Sequence, residues 1–154
     1  MSDGTGIEWT DATWNPVTGC TRVFSGCRNC YAEKDHEKRH RAYLAGKRLP
    51  VQYALPFSRV QLLPKRLEEP FHWRKPRFVF VNSTSDLFHE DIPEDYIRKV
   101  FETMAACPRH TFQVLTKRSA RLAELAPRLP WPANVWIGVS AETADHYDLS
   151  LIHI

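Results

Sequence analysis

The sequence lacks the features of membrane and exported proteins. No stretch approaches the roughly 20 apolar residues that a membrane-spanning helix needs. The first sixteen residues, MSDGTGIEWTDATWNP, do not combine a basic start with an apolar run, as a secretory signal peptide does. We therefore expect a cytoplasmic protein, in which thiols stay reduced. A cluster of cysteines in that setting is more often metal-binding or catalytic than disulfide-bonded.

Several common catalytic signatures are also missing. The chain contains no Walker loop and no G-x-G-x-x-G, H-E-x-x-H or G-x-S-x-G pattern. Hydrophobic residues make up 43% of the chain and charged residues 25%, both ordinary values for a soluble globular protein. At 154 residues the chain has the length of one domain, or of part of one. The function must therefore be sought outside these signatures.

What the sequence does contain is a cluster of cysteines. Cys20, Cys27 and Cys30 fall within eleven residues, separated by six and then two positions, whereas Cys107 lies far away. A closed structural zinc site takes four protein ligands. Three thiolates without a nearby fourth suit a metal centre with an open position, such as a cubane iron–sulfur cluster with one free iron. Residues 20–30 are therefore the predicted cluster loop.

The rest of the chain predicts alternating strands and helices, with a proline-rich and irregular connection over 47–77 that includes one short helix near 62–69. We expect strands at 7–13, 77–82, 111–115 and 134–139. We expect helices at 30–46, with Cys30 in the first turn, at 93–106 and at 119–125. Strands that alternate with helices predict an α/β fold with a parallel sheet.

Four strands at most cannot close a barrel. We therefore expect an incomplete parallel (β/α) barrel, in a chain that is a fragment of a larger protein. Residues 1–147 would form this partial domain, with the cluster loop near its start. The tail 148–154 has no partner element and ends on an apolar residue, so we suspect that it is not native.

Polar residues follow the predicted strands at their carboxyl ends. That edge is where parallel sheets and barrels place their chemistry. We expect the set to line a pocket, although single members are equally typical of helix caps and turns. The residues are Ser83, Thr84, Ser85, Asp86, Thr116, Lys117, Arg118, Ser140 and Glu142.

Four stretches together carry a resemblance to a known family. They are IEWTDATWNPVTGC with GCRNCYAE over 7–33, FVFVNSTSDLFH over 78–89, FQVLTKR over 112–118 and NVWIGVS over 134–140. The chain resembles an uncharacterised phage-associated family with a three-cysteine motif, which is itself similar to radical S-adenosylmethionine enzymes. The resemblance covers nearly all of the chain up to Glu142.

The resemblance implies a radical-enzyme type of barrel and a [4Fe–4S] cluster on Cys20, Cys27 and Cys30. The open iron would bind the amino and carboxylate groups of S-adenosylmethionine. After reduction by an electron donor, cleavage of the sulfonium would give a 5′-deoxyadenosyl radical that acts on an unknown substrate. The polar strand-end residues would hold the cofactor, and Lys117 or Arg118 would face an anionic substrate. The spacing here, six residues then two, departs from the common three then two.

A different class of function uses the same region. Cys27 and Cys30 are followed by His36 and His40, which lie i, i+4 on one helix face and can ligate one metal. Segment 34–77 carries twelve Lys and Arg against four Asp and Glu, as a nucleic-acid-binding patch does. The alternative is therefore a zinc-binding module that interacts with nucleic acid. Solvated histidines on an exposed charged face explain the same residues without a metal.

Two further residues have simple structural interpretations. Cys107 follows a predicted helix and is expected to be a small buried hydrophobe. His89 follows Asp86-Leu-Phe and is typical either of acid–base chemistry or of a satisfied structural histidine.

Overall fold

The computed structural model describes residues 5–141, and the fold over this range is α/β. The strands are β1 (Ala12–Trp14), β2 (Val17–Thr18), β3 (Gln61–Leu62), β4 (Phe78–Val81), β5 (Thr111–Thr116) and β6 (Val135–Val139). The α-helices are α1 (Tyr31–Leu44), α2 (Glu94–Ala106) and α3 (Ser119–Leu125). Short 3-10 helices cover Ser25–Asn29, Val51–Ala54, Pro64–His72 and Ala126–Arg128. Glu142 and the tail 148–154 lie outside the described residues.

Four of the strands form a parallel sheet in the order β1-β4-β5-β6. The register places Ala12 beside Val79, Val79 beside Phe112, and Phe112 beside Val135. Neighbours in this sheet therefore follow one another along the chain, and the described part has no point where the strand order reverses. The predicted α/β fold with a parallel sheet is confirmed.

Strands β2 and β3 form a separate two-stranded antiparallel sheet, with Val17 beside Leu62. The sequence does not predict either strand, because two residues are too few to show a periodicity. The short helix expected near 62–69 is the 3-10 helix Pro64–His72, which begins at a proline. The pairing attaches the segment that leads to Cys20 to the proline-rich connection.

One face of the parallel sheet forms the hydrophobic core. Val79, Val81, Phe112 and Val114 alternate along β4 and β5 and are fully buried. The apolar stripe of α2 joins the same cluster, because a period of 3.6 residues puts its side chains on one face. Its members are Tyr96, Ile97, Val100, Phe101 and Met104. Cys107 also lies in this core, which confirms its expected role as a buried hydrophobe.

The opposite face of the sheet carries exposed apolar side chains. Phe78, Leu115 and Trp136 are 43%, 37% and 56% exposed, and they alternate along the strands with the core residues. The ring centroids of Phe78 and Trp136 are 5.8 Å apart. Parallel sheets usually bury both faces, so this sheet exposes an unusually apolar face among residues 5–141. No α-helix in that range is long and apolar enough to cross a membrane.

Candidate metal and cofactor site

The cluster loop begins where the chain crosses between two other loops. The Gly19 N–H donates to the Thr84 carbonyl at 3.1 Å, and the Cys20 N–H donates to the Phe57 carbonyl at 2.9 Å. Gly19 has a φ of +88°, and a Cβ there would clash with the Arg59 carbonyl oxygen. Glycine tolerates this left-handed conformation, and the close neighbour of Gly19 is the backbone of residues 57–59.

The second and third cysteines lie at the start of α1. Cys27 belongs to the 3-10 helix Ser25–Asn29, and Cys30 is the N-cap residue of α1, one position before the expected first turn. The Cys30 N–H donates to the Cys27 carbonyl at 3.2 Å. Because a helix N-terminus favours negative charge, this position suits a thiolate or an anionic group bound to it.

All three cysteines line one cavity of about 480 Å³ at the carboxyl edge of the parallel sheet. All three are free thiols and partly exposed. The strand-end residues that line the same cavity come from the ends of β4, β5 and β6. They are Ser83, Ser85, Asp86, Thr116, Lys117 and Ser140. The structure thus brings together the predicted metal ligands and six of the eight predicted cofactor-binding residues.

The remaining two predicted residues are not part of this lining. Thr84 uses its hydroxyl and its backbone N–H to bind Asn15 Oδ1, at 3.1 and 3.0 Å, and does not line the cavity. Glu142 lies outside the described residues. The position of Thr84 follows from the turn after β4, which points it towards the loop after β1.

A second cavity of about 350 Å³ also touches all three cysteines. It is lined by Thr21, Arg22 and Glu33 among others. The Arg22 guanidinium donates to the Glu33 carboxylate through Nε at 3.1 Å and through Nη2 at 3.0 Å. The three thiols therefore lie between two spaces, one bounded by the sheet edge and one bounded by the loop and α1.

Asp86 connects the ends of β4 and β5. Its Oδ1 accepts from the Thr116 hydroxyl at 2.7 Å and from the Phe88 N–H at 3.0 Å. Its Oδ2 accepts from the Lys117 N–H at 2.9 Å. Since a carboxylate has about four lone-pair positions, one remains for another donor. Asp86 is 7% exposed, so these bonds also hold the floor of the cavity in place.

Asn82 is a lining residue that the sequence reasoning missed. It has a φ of +59°, a left-handed conformation that asparagine tolerates better than most residues. Its Nδ2 is buried and has no hydrogen-bond partner among the described residues. The signal available in the sequence was an asparagine at the end of an apolar strand, directly before the polar set.

Arg118 takes a different position from the one expected. The side chain is 7% exposed. Its Nη1 donates to Glu90 at 2.8 Å, and its Nη2 donates to the Thr21 carbonyl at 3.0 Å and lies 3.9 Å from Cys20 Sγ. It does not line the 480 Å³ cavity, where a substrate contact was predicted. Arginine is usually exposed, so nothing in the sequence indicates this burial.

The Cys20 thiol has an unusual protonation equilibrium. Burial raises its pKa to about 11, and the negative charge of Asp86 adds to this effect, whereas the Arg118 guanidinium opposes it. In the metal-free protein the thiol is therefore protonated at neutral pH. Binding a metal here would release a proton, as it does at thiolate sites in general.

His89 is a satisfied structural residue. Its Nδ1 accepts from the Asp91 N–H at 3.1 Å, so its Nε2 carries the proton and donates to the Thr21 hydroxyl at 2.8 Å. Burial lowers its pKa, and the nearby Arg118 guanidinium lowers it further. A neutral His89 thus helps to hold the loop at Thr21. This geometry agrees with the structural interpretation of the residue.

The two histidines of the zinc alternative face another part of the chain. His36 is 3% exposed, packs against Tyr53 and Phe57, and bonds through Nε2 to the Leu55 carbonyl at 2.9 Å. His40 bonds through Nδ1 to the Tyr53 carbonyl at 2.8 Å. The expectation that both lie on an exposed face is wrong for His36, because this face of α1 packs on residues 53–57.

The described residues contain no group of three His, Cys, Asp or Glu side chains that converges on a single metal ion. A mononuclear zinc site requires such convergence, because all ligands bind the same atom. A cubane cluster binds each thiolate to a different iron, so its ligands surround a larger volume. The three thiols share the lining of both cavities, and the choice between a cluster and a single ion stays a prediction.

Comparison with known proteins gives a family but no activity. A family model described as a protein of unknown function, DUF5131, matches residues 4–153. The chain belongs to the DUF5131 family. Comparisons with curated proteins and with solved structures found no significant match. Membership of DUF5131 does not test the resemblance to radical S-adenosylmethionine enzymes, which stays a prediction, as does a phage origin.

Proposed function

We propose that this DUF5131 protein holds a [4Fe–4S] cluster on Cys20, Cys27 and Cys30 and binds S-adenosylmethionine beside it. The observation that carries the proposal is the shared cavity, which the three thiols line together with polar residues from the ends of three parallel strands. When bound, these groups would supply one-electron reductive cleavage of a sulfonium. The protein would be a radical enzyme whose substrate is unknown.

The cysteine set fits a cluster with one open position. Cys107 is 1% exposed within the core and cannot supply a fourth ligand to the loop. Cys30, at the N-terminus of α1, would place one ligand where negative charge is favoured. Three thiolates give a [4Fe–4S] site a net negative charge, which suits this environment and the nearby Arg118.

The polar lining complements the two ends of an amino acid. Ser83 and Ser85 donate their hydroxyl protons to Asn15 Oδ1 and the Val17 carbonyl, so their oxygens remain as acceptors. Together with the free lone pair of Asp86, they suit the N–H groups of an iron-bound amine or ribose hydroxyls. The unpartnered Nδ2 of Asn82 is a donor that suits a carboxylate.

The apolar lining suits the remaining part of the cofactor. Ile7, Trp9, Phe80 and Leu115 line the cavity where it reaches the exposed face of the sheet. The rings of Trp9 and Phe80 are 4.8 Å apart. Aromatic side chains of this kind stack on planar bases and exclude water. A volume of about 480 Å³ lies within the range of pockets that bind small molecules and cofactors.

The sheet supports a partial barrel as the finer description of the fold. Parallel barrels add strands in chain order, whereas doubly wound sheets reverse the order at a switch point. The order β1-β4-β5-β6 follows the barrel pattern. The exposed apolar face would correspond to the inside of such a barrel.

The test is metal analysis of protein purified without oxygen. We expect about four irons and as many sulfides per chain, as a [4Fe–4S] cluster requires. Cys20→Ala, Cys27→Ala and Cys30→Ala should each lose most of this iron. Cys107→Ala is the matched control and should keep it, because Cys107 lies in the core.

The second step separates the cluster from the cofactor. Adding S-adenosylmethionine to the iron-loaded protein should change the electron paramagnetic resonance spectrum of the reduced cluster, because the cofactor binds the open iron. Stoichiometric zinc without iron would overturn the proposal and favour the zinc-binding module. Iron that resists all three alanine variants would show that the thiols are not its ligands.

A further inference from the structure

Arg118 is the most completely buried cation beside the cluster loop. It is 7% exposed, although arginine is seldom buried without a partner. Its contacts reach two separate parts of the chain: Glu90 at 2.8 Å on one side, and the Thr21 carbonyl and hydroxyl at 3.0 and 3.1 Å on the other. Arg118 is the N-cap residue of α3, two residues after β5 ends, so its side chain ties the cluster loop to the edge of the sheet.

The same guanidinium lies beside a ligand sulfur. Its Nη2 is 3.9 Å from Cys20 Sγ. Its Nε is buried and has no hydrogen-bond partner among the described residues. The Glu90 carboxylate that balances it is 64% exposed, so solvent screens that negative charge more strongly than the buried positive one. Arg118 therefore places a buried positive charge beside Cys20, where it opposes the negative charge of Asp86.

We propose that Arg118 is a positioning residue of the metal site: it fixes the Cys20 loop and holds a positive charge against the sulfur. The inference rests on the proposed function and assigns a role to one residue beside the same metal site. Its two parts have different consequences. Fixing the loop slows loss of the metal group, and the charge makes that group easier to reduce.

The sign of the second effect follows from electrostatics. Reduction adds an electron, so the reduced cluster is more negative than the oxidised one. A neighbouring positive charge stabilises the more negative state and raises the reduction potential; hydrogen bonds to ligand sulfurs act in the same direction. Removing the charge must therefore shift the potential to more negative values.

Two variants separate the two parts. Arg118→Gln removes the charge and the forked contact. Arg118→Lys keeps a charge, but its ammonium cannot bind Glu90 and Thr21 in the bidentate way of a guanidinium. Arg128→Gln is the control. Arg128 ends the 3-10 helix Ala126–Arg128 and also pairs with a glutamate, Glu94 of α2, at 3.0 Å, away from the cluster loop.

The measurements are the rate of iron loss to a chelator and the reduction potential of the cluster that remains bound, on whole protein. We expect Arg118→Gln to lose iron about ten- to a hundredfold faster, as outer-shell changes at metal sites do, with a more negative potential. Arg118→Lys should lose iron faster than wild type but keep a potential near it. Arg128→Gln should match wild type in both.

The outcomes distinguish this inference from the proposed function. Wild-type protein that takes up no iron would overturn both. Wild-type protein with iron, and an Arg118→Gln variant with unchanged potential and iron loss, would overturn the role of Arg118 alone. Faster iron loss at an unchanged reduction potential would overturn the charge effect and leave Arg118 only the role of holding the loop in place. Should Arg118→Gln fail to fold, unchanged iron loss from Arg118→Lys would still overturn the positioning role.

Discussion

Gly19 shows how strongly one residue can constrain the cluster loop. Its backbone is in the left-handed region, and its Cα approaches the carbonyls of Phe57 and Arg59 too closely for a Cβ. Gly46, after α1, has a similar φ of +83° but open space where a Cβ would be. The two glycines therefore share a left-handed backbone, but only Gly19 has neighbouring backbone where a Cβ would lie.

Alanine at these two positions separates conformational strain from steric clash. Gly46→Ala should lower the free energy of unfolding by about 1–2 kcal/mol, the penalty of a left-handed conformation. Gly19→Ala should lower it by roughly 2–5 kcal/mol, because an overpacking penalty is added. Urea denaturation of both variants measures the difference. Equal decreases in the free energy of unfolding would mean that the loop can move away from residues 57–59 with little cost in free energy.

On the scale of elements, α1 is held by its histidine-bearing face. His36 packs between Tyr53 and Phe57, and Glu37 Oε1 accepts from the Phe57 N–H at 2.7 Å. The helix thus presents titratable and polar groups to the backbone of the proline-rich connection. The composition of α1, rich in Lys, Arg and Glu, is typical of an exposed helix and does not predict this contact. The position of α1 in turn sets the position of Cys30 at its N-terminus.

His36→Ala tests whether this histidine is structural or a metal ligand. The variant loses a buried ring and the bond to the Leu55 carbonyl, so we expect a loss of about 2–4 kcal/mol in unfolding free energy. Metal content per folded chain should not change. Lys38→Ala, on the exposed part of the same helix, should stay within about 0.5 kcal/mol of wild type. Loss of stoichiometric zinc from His36→Ala would restore the zinc alternative.

On the scale of the whole molecule, buried histidines link stability to pH. His110 is 1% exposed between Trp73 and Phe112. Burial lowers its pKa, while its bond to the Pro70 carbonyl acts in the opposite direction. His89 is likewise buried with a lowered pKa. Both rings therefore accept protons more readily in the unfolded chain than in the folded one.

The folded state should consequently become less stable in mild acid. A histidine with a lowered folded pKa contributes full stability above its unfolded pKa of about 6.5 and loses it as the pH falls below that value. Urea denaturation between pH 7.5 and 5 should show decreasing unfolding free energy. His110→Phe, which keeps an aromatic ring but cannot titrate, should flatten the slope. An identical slope in that variant would exclude His110 as a source of the pH dependence.

The sequence by itself determined the order and type of the main elements. Apolar runs at 77–82, 111–115 and 134–139 are long and regular enough to predict strands β4, β5 and β6, and the stripe on α2 predicts its buried face. The spacing of the three cysteines and the polar strand ends also predicted most of the cavity lining. These signals are local, because each depends on residues close together in the chain.

Only the tertiary structure decided which residues meet across the chain. The burial of Arg118 against Thr21, the contact of His36 with Leu55 and the pairing of β2 with β3 join segments far apart in sequence. No local periodicity encodes such contacts. They arise because most buried polar groups find a partner once the chain is packed, and the choice of that partner depends on the whole fold.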